Sequence, residues 1–461
     1  MATEARPIPS SPPQAPGGLP GLGHVLRLGL GPMEFLESLR DCGPVVRVRV
    51  GTWPMYVLTD SDLVHRLLVE DARHFGRGRV FQRLRPLFGD GLVISDGAFH
   101  RKQRRLVQPA FHQARIARYA QAMRERAQTM AASWQEGETV WVDREMRQHA
   151  LSVVADTLFS STLAEHAVAE VHRSLPTILE GMFVRAIAPN WLDKVPYSVN
   201  RRFDQAAARL RSVIDEVIAA YGNERTVRED LVSALLTSKL PDTGEVMSPE
   251  QVRDEAIAVM FAGTETTATT MAWAFHEISR HPEAEARLSA EADQEILDPA
   301  SMPYTRAVIE EALRLHSPLL FTRRALADVH LGQHFIPSGA EVAYSPYALH
   351  RDPTLFPDPT AFRPERWLRS RSGLPSSRGF IPFSVGPHKC IGDTFAMTEA
   401  VITLATVSRR WQLVPVPGHT VRQRPAGMPQ PNALPMTPIA RHNSPRAEAA
   451  PPSAPGAPSP L

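Results

Sequence analysis

The chain has 461 residues, of which 43% are hydrophobic and 22% charged. This composition is typical of a folded globular protein and excludes global disorder. The 51 basic and 49 acidic residues leave a formal net charge of +2. This net charge is too small to predict binding to nucleic acid or to an anionic membrane. Only Cys42 and Cys390 carry thiols, which excludes a disulfide framework and favours a reducing, cytoplasmic setting.

Both ends of the chain are rich in proline. Residues 1–18 contain neither the apolar segment of a signal peptide nor a run that could span a bilayer, so a flexible N-terminus without a membrane anchor is expected. Residues 441–461 combine proline, alanine and serine, which bury too little apolar surface to offset the entropy of ordering. We therefore expect a disordered tail, and a single folded domain over residues 19–440.

Apolar periodicity predicts a mainly α protein with a small β-subdomain. Alternating valines in residues 45–59 predict two short strands near the start. Residues 329–344 return to strand-like alternation, and residues 346–375 are predicted to be proline-punctuated coil. Between these regions, apolar residues three and four apart predict helices over residues 61–70, 115–135, 148–159, 200–221 and 229–238.

The longest predicted helix covers residues 249–280. Ser248 followed by Pro249 is a helix-start signal, and His281 followed by Pro282 ends the pattern. The centre of this helix, residues 256–274, is almost entirely apolar or small. Such a composition predicts a helix that is buried on every side.

Cys390 stands in a glycine-punctuated loop, residues 383–392, directly before another apolar helical stretch. Backbone N–H groups of the loop and the positive end of the next helix can stabilise a thiolate, although a buried structural cysteine is the alternative. The pattern Phe-x-x-Gly-x-x-x-Cys-x-Gly resembles the haem-binding signature of the cytochrome P450 family. That resemblance implies haem b with Cys390 as the axial iron ligand and with Phe383 and Gly392 at the cofactor.

A second motif lies inside the long helix, where residues 262–267 read Ala-Gly-Thr-Glu-Thr-Thr. They resemble the oxygen-activating motif of the family, which implies that Glu265 relays protons and that Thr266 holds dioxygen at the iron. The alternative for Thr266 is a hydrogen bond to the carbonyl group four residues earlier. The apolar neighbours of Glu265 argue against a position on the protein surface.

A third group of residues resembles the family's Glu-Arg-Arg network. Glu311 and Arg314 are three residues apart, so they share one helix face, and by themselves they are a weak signal. The later Phe-Arg-Pro-Glu-Arg-Trp segment supplies Arg366. The resemblance implies a buried, fully bonded cluster with a structural role, because buried charges must be paired.

The haem propionates need cationic or hydrogen-bonding partners. By resemblance to the family these are His100 and Arg104, one helical turn apart, and His388, two residues before the cysteine. In the pair Arg323 and Arg324 we favour Arg323. Each of these residues has a plain alternative as a solvated base at the surface.

The resemblance covers residues 19–438 and implies the cytochrome P450 fold, with haem between the long helix and the Cys390 loop. It implies a soluble, monomeric monooxygenase that inserts one oxygen atom of O2 into an apolar small molecule. Two cysteines cannot hold an iron–sulfur cluster, so electrons are expected from a separate ferredoxin and ferredoxin reductase. Candidate contacts for such an acidic donor, or simply a solvated basic face, are Arg101, Lys102, Arg105 and Lys389.

The predicted substrate pocket is apolar, being formed from residues 81–92, 175–191 and 318–322. Its candidate lining residues are Phe81, Leu87, Phe88, Met182, Ala262, Leu320 and Phe321. The chain most resembles bacterial members that oxidise sesquiterpene hydrocarbons, with macrolides, polyketides and fatty acids as alternative substrates. A haem protein without dioxygen-activating turnover and a catalytically silent binding partner are further alternatives. Two departures from the family pattern are Ser384 in place of a glycine and Glu265 in place of an aspartate.

Overall fold

The computed structural model describes residues 11–159, 163–187, 198–223, 229–293, 299–368 and 378–441. The α-helices in this part of the chain are α1 (Val25–Leu30), α2 (Pro32–Ser38), α3 (Ser61–His65), α4 (Arg79–Arg83), α5 (Arg85–Phe88), α6 (Gly97–Val107), α7 (Gln113–Ser133), α8 (Val142–Leu158), α9 (Leu163–Ile187), α10 (Ser198–Asn223), α11 (Leu231–Thr237), α12 (Pro249–Arg280), α13 (Pro282–Ala292), α14 (Pro303–Leu315), α15 (Pro346–Leu349) and α16 (Asp393–Arg410).

The strands are shorter and lie mostly near the two ends of the chain. They are β1 (Val45–Val50), β2 (Trp53–Leu58), β3 (Phe75–Arg77), β4 (Val140–Trp141), β5 (Phe321–Ala325), β6 (Val329–Leu331), β7 (His334–Ile336), β8 (Glu341–Tyr344), β9 (Trp411–Pro415), β10 (Gln423–Arg424), β11 (Gln430–Pro431) and β12 (Pro435–Ala440). The expected mainly α architecture with a small β-subdomain is confirmed.

The largest sheet has the strand order β1-β2-β8-β5-β3. The hairpin β1–β2 was predicted from its valine alternation, and β8 joins it in parallel. The edge strand β3 pairs antiparallel with β5, so that Arg77 lies opposite Arg323. Neither β3 nor β5 carries enough alternation to be predicted, because each owes its strand conformation to pairing with a distant segment.

The longest helix, α12, has the predicted bounds. Its start is closed by a capping box in which the Ser248 side chain accepts from the N–H of Gln251 and the Gln251 side chain accepts from the N–H of Ser248. Other predicted helices are confirmed with shifted ends, and α8 begins at Val142 rather than at residue 148. Helix α9 was missed as a continuous helix, since it contains Pro176, which normally interrupts helical hydrogen bonding. The segment predicted as coil contains α15 and a 3₁₀ turn, Pro364–Trp367, with residues 369–377 outside the described part.

Helix α12 runs through the core and packs against α8, α10, α14 and α16. One apolar cluster surrounds its first half, and another surrounds its second half. The prediction that α12 is buried on every side is wrong at its middle, where Ala262 and Thr266 are exposed. These residues are four apart and share one face, so the packing leaves a window on this side of the helix.

Part of the segment that was expected to be a flexible N-terminus is paired with β1. Ala15 is buried, its N–H donates to the carbonyl of Arg47 (2.9 Å), and the N–H of Arg47 donates to the carbonyl of Pro13 (2.8 Å). Backbone pairing with β1 therefore fixes residues ahead of the predicted boundary at residue 18. Residues 1–10 and residues 442–461 of the predicted disordered tail lie outside the described part. Arg441, the first residue of the predicted tail, is ordered, since its N–H donates to the carbonyl of Arg410 (3.0 Å). No helix in the described ranges is long and apolar enough to cross a bilayer.

Candidate active site

The Cys390 loop connects the irregular segment after residue 378 to α16. The N–H of Cys390 donates to the carbonyl of Phe383 (2.8 Å), and the N–H of Lys389 donates to that of Gly386 (3.0 Å). Gly386 has φ +75°, and a Cβ there would overlap the carbonyl oxygen of Leu68. The loop therefore needs glycine at this position, both for its backbone conformation and for close packing.

The Cys390 side chain is accessible although protein surrounds it closely, as expected for a group in the wall of an internal cavity. Burial raises the pKa of the Cys390 thiol above its ordinary value, while a hydrogen bond from the Gly392 N–H acts in the opposite direction. The predicted N–H group aimed at the sulfur is thus present. A metal ligand bound to the sulfur would displace the proton and favour the thiolate.

Thr266 makes the local hydrogen bond that the sequence left as an alternative. Its hydroxyl donates to the carbonyl of Ala262 (2.6 Å), and Thr264 bonds in the same way to the carbonyl of Met260 (2.6 Å). The two threonines differ in their surroundings, because Thr264 is buried whereas Thr266 is exposed at the window in α12. The Thr266 hydroxyl is therefore available to a group in the cavity once it leaves its helix carbonyl.

Glu265 is removed from the surface, as predicted, with a side chain 12% exposed. Its Oε1 accepts from Nε of Arg147 (3.0 Å) on α8, and its Oε2 accepts from Nε2 of Gln430 (3.0 Å) on β11. Neither partner was predicted, since they lie 118 and 165 residues away along the chain. No local pattern in the sequence could have identified them.

The predicted propionate ligands gather beside the Cys390 loop. The rings of His100 and His388 lie 4.1 Å apart, and Arg104 donates to the carbonyl of Lys389 (2.7 Å). Arg323 is buried and donates to the carbonyl of Thr322 (3.0 Å). Arg324, the residue that we did not favour, is exposed on the other face of β5.

Arg77 belongs to the same cluster but was missed. Its backbone N–H donates to Oδ2 of Asp96 (2.5 Å), and its guanidinium donates to the carbonyl of Leu92 (3.2 Å). The antiparallel register of β3 and β5 brings it opposite Arg323, and its Nε is buried without a hydrogen-bond partner. Its place depends on pairing between distant strands, for which the sequence carries no signal.

Burial and neighbouring positive charges lower the pKa values of three residues in this basic cluster, which indicates that the cluster has more basic groups than carboxylates to pair with them. Burial, followed by the charge of Arg77, lowers the pKa of His100 to about 4 and holds that of His388 far below its usual range. Burial, followed by the charge of Arg323, lowers the pKa of Arg77 to about 9. Asp96 is the one carboxylate that the described residues place beside this cluster, and Nδ1 of His388 is buried without a partner. The cluster fits a bound dianion, such as a pair of propionates.

The contacts of the Glu-Arg-Arg network are present, but the cluster is not fully bonded as expected, because Nη2 of Arg366 is buried without a hydrogen-bond partner. Glu311 accepts from Nε and Nη2 of Arg314 (2.9 and 2.8 Å), from Nε of Arg366 (3.0 Å) and from Nε1 of Trp367 (2.9 Å). Arg314 is fully buried and also donates to the carbonyls of His350, Pro359 and Ala361. The charges are therefore paired and hydrogen-bonded, which is the condition for burying them.

The predicted substrate pocket is only partly assembled. Phe81 and Met182 are half-buried against the cluster around the first half of α12, and Ala262 faces the window. Leu87 and Phe88 are 0% and 4% exposed, so they are wrong as lining residues: they fill the core behind the pocket. Leu320 and Phe321 are also half-buried and pack against clusters of the large sheet, so their role as lining residues stays a prediction.

Buried acids on α12 bind the backbone of residues 89–92. Oδ2 of Asp254 accepts from the N–H of Asp90 (3.0 Å), and Oε1 of Glu255 accepts from the N–H of Leu92 (2.9 Å) and from Nε2 of Gln103 (3.2 Å). Burial raises the pKa of Glu255 to about 8. These contacts were not predicted, and they fix the position of residues 89–92 relative to α12.

The basic residues considered for an electron donor are largely engaged within the chain. Arg101 is exposed on α6. The other three make ion pairs at the surface: Lys102 with Glu245, Arg105 with Asp242, and Lys389 with Asp393. Such exposed pairs are weak and can exchange partners.

Comparison with known proteins identifies the family. A family model described as cytochrome P450 matches residues 12–438. Cyclooctatin synthase of Streptomyces melanosporofaciens is 42% identical over 421 residues, which are 89% of this chain and 92% of that protein. Cyclooctat-9-en-7-ol 5-monooxygenase of the same organism is 40% identical, over 89% and 93% of the two chains. Pentalenene oxygenase of Streptomyces avermitilis is 37% identical, over 88% and 92%.

A solved structure shows the same fold. The crystal structure of a cytochrome P450DA heme domain has a TM-score of 0.84 with this chain and covers 94% of it, at 24% sequence identity. Haem fits the observed residues, because an accessible cysteine in a loop with a sulfur-directed N–H lies beside a cluster of three arginines and two histidines for which the described residues supply one carboxylate, Asp96. The chain is a member of the cytochrome P450 family, a haem-dependent monooxygenase.

Proposed function

We propose that this monooxygenase hydroxylates a terpene or terpenoid in bacterial secondary metabolism. One atom of O2 enters a C–H bond as a hydroxyl group, and the other leaves as water after two electrons and two protons are taken up. The observation that carries the proposal is the window at Ala262 and Thr266, bordered by the apolar cluster with Phe81 and Met182. Such a wall favours an apolar substrate over a charged one. The names of two relatives describe oxidation of pentalenene and of cyclooctat-9-en-7-ol.

In this proposal Cys390 would bind the haem iron through its sulfur, with Phe383 and Gly392 shaping its loop. The propionates would be held by Arg77, Arg104, Arg323, His100 and His388. Haem supplies the centre at which O2 is activated, and the thiolate donates electron density that favours O–O cleavage. The cationic cluster supports this assignment, because its guanidinium groups have carbonyl partners but too few carboxylates.

Thr266 and Glu265 are proposed to deliver protons. The Thr266 hydroxyl can release the Ala262 carbonyl and donate to an oxygen atom in the cavity, because it is exposed at the window. Glu265 is the nearest carboxyl group along α12 and reaches the half-exposed Arg147. A carboxyl group between solvent and the hydroxyl at the window is a suitable proton carrier.

Electrons are proposed to come from a ferredoxin and its reductase, and the enzyme to act as a cytoplasmic monomer. An acidic donor would dock near Arg101 and exchange with the surface ion pairs of Lys102, Arg105 and Lys389. The rate of reduction should then fall with rising salt concentration, since exposed charges are screened.

A binding screen tests the substrate class. Terpene hydrocarbons, including pentalenene, fatty acids and macrolides are titrated into the haem-loaded protein, and shifts of the Soret band are recorded. We expect shifts with terpenes, followed by conversion to alcohols when NAD(P)H, ferredoxin and reductase are added. Shifts and turnover confined to fatty acids or macrolides would overturn the terpenoid assignment.

The threonine is tested by Thr266→Ala, with Thr264→Ala as the control for a buried threonine that makes the same local bond. Thr266→Ala should bind haem and substrate normally while hydrogen peroxide replaces alcohol, because protons reach the wrong oxygen atom. The measurement is the ratio of alcohol to peroxide per NAD(P)H consumed. An unchanged ratio would mean that Thr266 is only a helix residue.

A further inference from the structure

An exposed apolar surface lies on residues 19–30, near the start of the described chain. Four leucines in this segment are exposed: Leu19 (48%), Leu22 (50%), Leu26 (48%) and Leu30 (85%). Single exposed leucines are ordinary on a protein surface, whereas several in one short segment indicate contact with an apolar partner. We call these four residues the leucine face.

The backbone brings the four leucines together. Leu26 and Leu30 are about one helical turn apart on α1, so they share one side of this helix. The backbone N–H and carbonyl of Leu19 both pair with Gly23 (2.8 Å each), which turns the chain back just ahead of α1. Gly23 has φ +60°, and a Cβ there would overlap the backbone of β1, so the turn requires glycine. The turn therefore places Leu19 and Leu22 beside the start of α1.

A buried histidine fastens this segment to the rest of the protein. The Nε2 atom of His24 donates to the carbonyl of Ala15 (3.0 Å), and its Nδ1 accepts from the N–H of Arg49 (3.0 Å) on β1. The His24 ring is fully buried and stacks on Phe35, with the ring centroids 5.5 Å apart. These contacts fix the backbone of the segment, so the leucine face is held at the surface.

The charges around the leucine face are mainly positive. Arg27 on α1 and Arg49 on β1 are both exposed, and the carbonyl of Arg49 accepts from the N–H of His24 (2.6 Å). Residues 11–33 contain no acidic residue, and the next acid along the chain is Glu34, which is exposed at the start of α2. Exposed apolar side chains bordered by arginines are suited to an anionic lipid surface.

The two ends of the chain outside the described part offer few large apolar side chains that could cover the leucine face. Residues 1–10 contain Met1 and Ile8, and residues 442–461 contain Leu461. A lipid bilayer supplies apolar chains for the leucines and, when it is anionic, charges opposite to those of the arginines.

We propose that the leucine face, with Arg27 and Arg49, docks this protein on the surface of an anionic phospholipid bilayer. The leucines enter the boundary between headgroups and acyl chains, and the arginines bind lipid phosphates. The binding is peripheral, because α1 has six residues and is far too short to cross a bilayer. An apolar substrate of the proposed class dissolves in the same bilayer, so docking brings the enzyme to its substrate. This last consequence rests on the proposed function, whereas the docking does not.

The experiment uses the haem-loaded full chain without substrate. Sucrose-loaded vesicles of phosphatidylglycerol and phosphatidylethanolamine, or of phosphatidylcholine alone, are sedimented with the protein, and haem absorbance in the pellet measures binding. We expect binding to the anionic vesicles that weakens with rising salt concentration, since exposed charges are screened. Leu26→Gln combined with Leu30→Gln should raise the apparent Kd at least about tenfold, because two apolar side chains no longer leave water.

Two controls separate charge from nonspecific adsorption. Arg27→Gln should raise the apparent Kd for anionic vesicles about fivefold, as expected for one basic residue near such a surface, while Arg27→Lys keeps the charge and the native Kd. Leu326→Gln is the matched control for the leucines. Leu326 is 60% exposed but follows β5, near the edge of the large sheet opposite β1, so its loss should leave binding unchanged.

The proposal fails if the native protein binds neither kind of vesicle, or if the double leucine variant binds as tightly as the native protein. An equal loss of binding in Leu326→Gln would also overturn it. Sedimentation velocity identifies the competing occupant: a native dimer that the double variant does not form, without vesicle binding by either, would assign the leucine face to a second copy. Leu19→Gln combined with Leu22→Gln repeats the test if the first variant does not retain native haem content.

The outcomes for docking and for the proposed function are distinguishable. The vesicle assay contains no substrate, so a failure of docking leaves terpene oxidation untouched. Detergent-dispersed pentalenene should be oxidised equally by the native protein and by the double leucine variant. If neither protein oxidises any terpene while the native protein binds anionic vesicles, the terpenoid assignment fails and the docking surface stands.

Discussion

The two sides of the proposed haem site are built on different principles. On the cysteine side, the Glu311 network pairs buried charges: Arg314 is fully buried and donates to Glu311 and to backbone carbonyls. On the α12 side, Phe81 and Met182 pack by shape in an apolar cluster. A buried charge without its partner costs about 3–5 kcal/mol, whereas volume-conserving apolar exchanges usually cost less than about 1.5 kcal/mol.

This difference explains why the chemistry of the enzyme is easier to identify than its substrate. Polar partners on the cysteine side restrict each position to one residue type. The apolar wall accepts many combinations of leucine, phenylalanine and methionine with similar free energy of unfolding. Substrate preference therefore depends on the shape of the wall, while the reaction depends on a few fixed groups.

The largest expected effect is at Cys390. Cys390→Ser should abolish the red-shifted Soret band of the reduced carbon monoxide complex, because an alcohol oxygen does not replace a thiolate ligand. Cys42→Ser is the control and should keep the band. Retention of the band in Cys390→Ser would place the iron ligand elsewhere and remove the basis of the comparison.

Glu311→Ala should have the next largest effect. It leaves the buried guanidinium of Arg314 without its carboxylate, at a cost of about 3–5 kcal/mol, so haem-poor or insoluble protein is expected. Glu310→Ala, which removes the neighbouring acid and its surface pair with Arg306, should remain haem-loaded. Full haem content with slower turnover in Glu311→Ala would show that the cysteine side tolerates lost partners as the apolar side does.

A third prediction concerns Glu255, which binds the backbone of Leu92. Burial raises its pKa from 4.5 to about 8, so folded protein keeps a proton that unfolded protein releases above about pH 4.5. The free energy of unfolding should therefore fall by about 1.4 kcal/mol per pH unit between these values and level off above about pH 8. Glu255→Gln should remove this slope in denaturant unfolding, and Glu250→Gln, at the exposed start of α12, should keep it. An unchanged slope in Glu255→Gln would mean that another group titrates.

The smallest expected effects are at Ser384, which has φ +58°, a conformation that favours glycine. Its hydroxyl lies 3.2 Å from the Tyr344 hydroxyl. Ser384→Ala should lower the free energy of unfolding by about 1 kcal/mol, because it loses this bond and keeps the strain. Ser384→Gly should stay near the native value, since relief of strain offsets the lost bond. Equal destabilisation of both variants in urea would show that the backbone strain is negligible.

Features with local signals could be predicted from the sequence. The bounds of α12 follow from Ser248, Pro249 and the proline after His281, and the contact between Glu311 and Arg314 follows from their spacing on one helix face. The site residues beyond these were reached through the family resemblance.

Features that depend on distant contacts could not be predicted. Arg77 enters the basic cluster only because β3 pairs with β5, and Arg147 meets Glu265 across 118 residues. The prediction that Leu87 lines the pocket was wrong for another reason. Leucine is equally suited to a pocket wall and to the core, so the residue type does not distinguish the two positions. The sequence shows which residue types are present and in what order, but burial and long-range pairing decide the role of each residue.

The opposed arginines on β3 and β5 have a consequence for assembly. Like charges facing each other across two strands weaken their pairing, and Arg77 and Arg323 do so at the edge of the sheet. In newly made protein, before an anion lies between them, this edge should be the first part of the sheet to open. A bound dianion, such as a pair of propionates, would offset this repulsion and so stabilise the pairing of β3 with β5.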